Sequence, residues 1–130
     1  MRLRVIEQEK KMRNTLSLFL ILHGLAHLAG FVGSWGLATS VPPQTSLFSG
    51  RIPIGPSAGR FVGVLWLLAG SIFVAAGIAG FVGSPVVATL VVIGASASLL
   101  LAITALPTAK IGLAINIAIL TAFVFVRRYG

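Results

Sequence analysis

Between Arg60 and Lys110 the chain runs 49 residues without a charged side chain, and between Arg13 and Arg51 it runs 37. A helix needs roughly 20 predominantly apolar residues to cross the hydrocarbon core of a bilayer. The longer stretch therefore has room for two crossings and the shorter one for a single crossing with a long connection. Composition agrees: 9% of residues are charged and 57% hydrophobic, with a mean hydropathy of +1.04, against about 25% charged in a soluble domain. A soluble globular fold is excluded on these grounds. The net charge of +8 sits in small groups between the apolar runs rather than along one face, which argues against a nucleic-acid partner. Without cysteine the chain has no disulfide framework, no thiolate metal site and no thiol–disulfide chemistry.

Spans are expected at about 15–37, 60–82, 85–106 and 108–127, with an outer loop over 39–59. Ser84-Pro85 starts the third, because a serine N-cap followed by proline in the first turn opens a helix without breaking a hydrogen bond. Pro107 separates the third from the fourth, and all six prolines fall outside the expected span interiors. Arg2, Arg4, Lys10, Lys11 and Arg13 precede the first span and Arg127 and Arg128 end the fourth, while Arg51, Arg60 and Lys110 lie on the opposite side. Short cytoplasmic segments accumulate Lys and Arg, so both termini are expected in the cytoplasm. The expected fold class is all-α, an integral membrane four-helix bundle. Residues 1–14 form a basic cytoplasmic tail and 15–130 the four-span domain. Glu7–Lys11 and Glu9–Arg13 stand at i,i+4 spacing, which favours a first helix that continues into that tail.

The same start can be read as a secretory signal, with a basic region, the apolar run Leu16–Leu22 and Gly36-Leu37-Ala38 as a small-residue cleavage site. Two histidines in the apolar run and the spanning length of Leu16–Leu37 favour a retained helix. In the outer loop, Leu47, Phe48, Ile52 and Ile54 either rest on the headgroups or pack over the bundle end.

Helices in lipid associate by close backbone approach, so small residues every four or seven positions mark contact faces. The second span offers Gly63, Gly70 and Gly77, the third Gly94, Ser98 and Ala102, and the fourth Ala114, Ala118 and Ala122, with Gly112 and Asn116 on a neighbouring face. A tight bundle without a wide pore is expected. Gly30–Ser34 and Gly80–Ser84 repeat the same five residues, a coincidence in a chain so rich in Gly and Val.

Ionisable residues inside a membrane are functional candidates by default. His23 and His27 share a helix face near the middle of the first span. At similar depth stand Ser71 in the second, Ser96 and Ser98 in the third and Asn116 in the fourth. With these faces turned inward, Asn116 and a serine would bond the imidazoles and form a polar midplane site of His23, His27, Ser71, Ser98 and Asn116. The other reading of the same residues is structural glue between helices.

Two histidines at i,i+4 can grip a metal from one helix, but His23-Gly24-Leu25-Ala26-His27 lacks the glutamate of the zinc-protease motif. No Asp, Glu or Cys lies in the spans, so whether any metal binds stays open. Haem held by both histidines fails, because axial ligands approach opposite faces; ligation by one histidine, or by histidines of two protomers, stays open. No cofactor is expected. Proton-coupled exporters of this size use an embedded carboxylate, and the only acids here are Glu7 and Glu9 in the tail; a histidine, titrating near physiological pH, could stand in. Lys110 can snorkel to the interface, Arg60 marks the outer start of the second span, and Trp35 and Tyr129 suit interfacial anchoring. Trp66, deeper in its span, packs on a neighbour. No phosphate-binding loop, Ser-His-Asp set or paired carboxylate occurs, so an enzyme is not expected.

The segment His23–Phe31 (HGLAHLAGF), the segment Gly63–Ala69 (GVLWLLA) and Ala109-Lys110-Ile111-Gly112 with Asn116 resemble a family of small bacterial four-span membrane proteins with no assigned activity. The resemblance implies the four-span fold and a bacterial cytoplasmic (inner) membrane location. It points to His23, His27, Lys110 and Asn116 and transfers no role. The expected function is a structural or accessory membrane component; the alternative is a small transporter or permease-like protein using His23, His27 and Asn116. The expected partners are the lipid bilayer and a homo-oligomer or larger membrane complex.

Overall fold

The computed structural model describes residues 1–40 and 42–129, and their side chains through residue 125. The chain forms α1 (Arg2–Ala26), α2 (Leu28–Trp35), a two-residue antiparallel pairing of β1 (Ser46–Leu47) with β2 (Ile52–Pro53), then α3 (Gly55–Phe81), α4 (Val87–Thr104) and α5 (Lys110–Tyr129). Because α1 and α2 continue one another across His27, the described residues make four rods. Arg2–Trp35, Gly55–Phe81 and Val87–Thr104 are long and apolar enough to cross a membrane; Lys110–Phe125 is a shorter apolar helix.

The helix limits differ from the sequence expectation in instructive ways. Hydropathy marks where a helix becomes apolar, whereas the first helix is hydrogen-bonded from Arg2, 13 residues before the expected start at 15. The second begins at Gly55 with Pro56 in its first turn, where a missing N–H is harmless. The loop therefore ends at Ile54 rather than at 59. Ser84 Oγ does accept the N–H of Val86 (3.4 Å), but regular α4 starts only at Val87. Gly36 takes a left-handed conformation (φ 62°) and Leu37 N–H reaches back to Val32 O, a glycine C-cap that stops α2. The side chains of Arg127 and Arg128, expected on the cytoplasmic side, and of Tyr129, expected as an interfacial anchor, lie outside the described residues.

The first two rods run antiparallel: Ser17 meets Gly80, Gly24 meets Gly70 and Ser34 meets Gly63. α3 packs along α1 and α2 on one side and against α4 on the other, and α5 packs on α4. Glycine permits the first of these contacts. A methyl group on Gly24 would sit 2.6 Å from the carbonyl oxygen of Gly70, and one on Gly70 would sit 2.6 Å from that of Gly24. The two backbones touch there, midway along the apolar part of the rods. Gly63, Gly77, Gly94, Ser98 and Ala102 are buried as the small-residue stripes predict. The fourth stripe is the exception: Ala114, Ala118 and Ala122 are exposed, and α5 turns Asn116, Ile119 and Leu120 inward instead. Spacing alone marks a face without saying which neighbour it meets, and the bulky core of Leu20, Phe73, Ala76, Val91 and Ala95 takes Ile119 and Leu120 as its cover.

At the hairpin end, Leu47, Phe48 and Ile54 are half-buried over the bundle while Ile52 is exposed. Phe48 N–H donates to Thr104 O (2.8 Å) and Ser49 Oγ to Leu106 O (2.9 Å), capping carbonyls that the end of α4 leaves free. Trp35 Nε1 donates to Arg60 O (3.1 Å), and the Arg60 guanidinium lies 5.7 Å from the Trp35 ring centre. Trp35 thus pins the end of α2 to the start of α3.

Gly70→Ala should lower stability by about 1–3 kcal/mol, as over-packing at a rigid contact does. Ala118→Val, on the outward face of α5, should change it by less than about 0.5 kcal/mol. Thermal unfolding in detergent checks both; a destabilisation by Ala118→Val equal to that of Gly70→Ala would return the alanine stripe to the interior.

Candidate functional site: a closed polar ring in the bundle core

The break between α1 and α2 is made by His27. Its N–H bonds to Gly24 O at 3.1 Å, three residues back rather than four, which leaves the carbonyl of His23 without its usual helical partner. The His27 imidazole supplies one: Nδ1 lies 2.8 Å from His23 O. A side chain inserted into the backbone ladder is a recognised cause of a helix irregularity. Here it also determines the ring tautomer, because a carbonyl only accepts and Nδ1 must carry the proton.

The neutral ring's other nitrogen then accepts. His27 Nε2 lies 2.6 Å from Ser98 Oγ on α4, so the hydroxyl donates to it. Ser98 Oγ in turn accepts from Asn116 Nδ2 on α5 at 2.7 Å. The second proton of that amide goes to Gly112 O at 2.9 Å; since a carbonyl can only accept, this bond sets which end of the Asn116 amide is nitrogen. Asn116 Oδ1 accordingly faces His23 Nε2 at 3.3 Å, and His23 donates to it. The donors follow one another in a single direction, from His23 to Asn116 to Ser98 to His27 and back to the carbonyl of His23. Bonds aligned in this way polarise one another.

His23, His27, Ser98 and Asn116 are all buried, the last two 1% exposed each. Among the described residues no buried side-chain nitrogen or oxygen lacks a partner. Aromatic rings wall the cluster: Phe73, fully buried, meets His23 edge-on at 4.7 Å and His27 at 5.4 Å. Trp66 lies 5.5 Å from His27 and Phe19 stacks on His23 at 5.9 Å. The ring draws on α1, α4 and α5 at once, and it closes the α1–α5 edge that close backbone packing does not.

Of the five expected site residues, His23, His27, Ser98 and Asn116 come together. Ser71 does not: its hydroxyl donates to Leu67 O of its own helix at 2.9 Å and the residue is exposed. Ser96 is exposed as well. Both stand at the right depth but on the wrong side of their helices. Trp66 packs on a neighbour as expected, with its ring against Gly30. The contributions of Gly112, Phe73 and the His23 carbonyl carry no sequence signal of their own, since backbone groups and a lone Phe in an apolar run look the same at any position.

Chemically the ring engages every polar side-chain atom of His27, Ser98 and Asn116, while His23 Nδ1 stands outside its bonds. Both nitrogens of His27 are engaged, and a metal could take one only by displacing the carbonyl or the serine. No group of three or more His, Cys, Asp or Glu side chains occurs among the described residues.

Two measurements test this geometry. Nitrogen chemical shifts of the labelled imidazoles should give the Nδ1–H tautomer for His27 and the Nε2–H tautomer for His23; the reverse pair is incompatible with the bonds described. Asn116→Leu should lower thermal stability by about 1–3 kcal/mol, from interhelical hydrogen bonds worth roughly 0.6–2 kcal/mol each, whereas Ser71→Ala should be close to neutral. Searches of protein-family models, curated proteins and solved structures find no match to this chain, so the ring is read from its own geometry.

Proposed function

We propose that this chain is a multi-pass protein of the bacterial cytoplasmic membrane, with four helical spans and both termini inside. Its role is that of a structural or accessory membrane component, not an enzyme. The observation that carries the role is the ring itself: His27, Ser98 and Asn116 commit every polar side-chain atom to one another, to His23 Nε2 or to a backbone carbonyl, so it braces three helices. A substrate relay would need polar groups that change partners or face water.

The membrane placement is supported by the surface. Leu22, Phe61, Leu68, Ile93, Leu100 and Ile117 are large, apolar and exposed on four different rods, and so much outward apolar side chain demands a lipid environment. The orientation rests on the basic residues before Asn14 and after Val126, against Arg51, Arg60 and Lys110 at the hairpin end. The resemblance to small bacterial four-span proteins supports the same placement.

Reporter fusions at each terminus should be active only as cytoplasmic reporters, and the chain should stay in the membrane fraction through alkaline carbonate extraction. Reconstituted into vesicles, it should leave proton flux at the level of protein-free vesicles. Flux above that level, abolished by His27→Leu in a chain that still folds, would replace the structural role with transport.

A further inference from the structure

One flank of the α1–α3 pair carries two cavities in line. The first, of about 460 Å³, opens where α1 leaves the bundle and is lined by Glu7, Lys10, Lys11, Asn14, Thr15, Leu18 and Phe81. The second, of about 280 Å³, lies deeper against the Gly24–Gly70 contact and is lined mostly by apolar groups, among them Leu25, Val74, Ala75 and Ile78, with His27 and Ser71 as its polar members. Helical spacing joins them. Val74, Ile78 and Phe81 follow one another down one face of α3, and Leu18 and Leu25 stand seven residues apart on α1. Leu18, Leu25, Ile78 and Phe81 are all exposed, so both cavities open to whatever surrounds the bundle and together mark one furrow on this flank.

The furrow changes chemistry from end to end. At its mouth two ammonium groups, Lys10 and Lys11, outnumber the single carboxylate of Glu7, and the Asn14 amide stands beside them. Below Thr15, whose hydroxyl is spent on Lys11 O at 3.0 Å, the lining becomes hydrocarbon. From Thr15 to Leu25 is ten residues, about 15 Å of helix, which is half of the roughly 30 Å hydrocarbon core and thus the depth of one leaflet. A cationic mouth above an apolar channel one leaflet deep complements a molecule with an anionic head and an extended hydrocarbon tail. Basic clusters next to a span on the cytoplasmic side attract anionic lipid headgroups. We infer that this furrow binds one anionic phospholipid, its phosphodiester head at Lys10, Lys11 and Asn14 and one acyl chain lying along Leu18, Ile78 and Leu25 toward Gly70. Free phosphate would match the mouth alone and leave the apolar channel unused.

The inference rests on the membrane-spanning reading, and its test separates the two. Full-length protein in detergent is examined by native mass spectrometry with phosphatidylglycerol and phosphatidylcholine of identical acyl chains. Phosphatidylglycerol should be retained about tenfold better, and the Lys10→Gln, Lys11→Gln double variant should lose that preference. The equally charged control Arg2→Gln, Arg4→Gln, outside the furrow, should keep it. Ala75→Phe, an exposed position that fills the channel, should weaken retention several-fold without changing the headgroup preference. Equal retention of the two lipids, equal loss in the Arg2, Arg4 control, or displacement by excess inorganic phosphate overturns the proposal. So does a lipid-free dimer, which would mean that a second copy covers the furrow. Failure to enter the membrane fraction defeats the spanning reading itself; headgroup indifference in a chain that remains in the membrane defeats only the lipid site.

Discussion

A polar side chain in the middle of an apolar bundle has no water to turn to, so its partners must be built into the protein. The rest of this structure depends on how that requirement is met. Two imidazoles, one hydroxyl and one amide satisfy one another in a single closed direction, with the carbonyls of His23 and Gly112 setting the two tautomers and the amide orientation. Removing one member leaves the others with buried groups unpaired. The ring therefore determines which faces of α1, α4 and α5 point inward, and α5 gives up its alanine stripe to obey it.

The second constraint is the contact of Gly24 with Gly70, where the backbones of α1 and α3 meet. Gly24 lies between the two histidines, so the same turn of helix carries the closest interhelical approach, the displaced backbone bond and the imidazole that takes the vacated carbonyl. These features support one another: the glycine contact brings α3 close enough for Phe73 and Trp66 to wall the ring. The irregular turn at His27 in turn lets its Nδ1 reach His23 O. The other flank of the same helix pair remains open, and there the basic residues Lys10 and Lys11 of the α1 extension meet the apolar furrow.

Much of this was legible before any coordinates. The uncharged stretches required apolar helices, and the four-residue spacing of His23 and His27 put both on one face. The stripe of Gly94, Ser98 and Ala102 named the side of α4 that turns inward. Ser71 and the alanines of α5 were not legible in the same way. Depth along a helix follows from counting residues, but rotation about its axis is set by neighbours. Ser71 has the depth of the ring and the wrong rotation, and its hydroxyl returns to Leu67 O at almost no energetic loss.

By itself, then, the sequence determined that the chain is helical, that its long helices are apolar enough to cross a membrane, and which polar residues stand at mid-depth, because each of these is a property of local composition and period. Only the tertiary structure decided which of those polar residues meet, which tautomers they hold, and which small-residue stripe faces the core. Those outcomes depend on distances between segments up to 93 positions apart, as from His23 to Asn116. No local pattern encodes the relative rotation of two helices until their side chains are packed against each other.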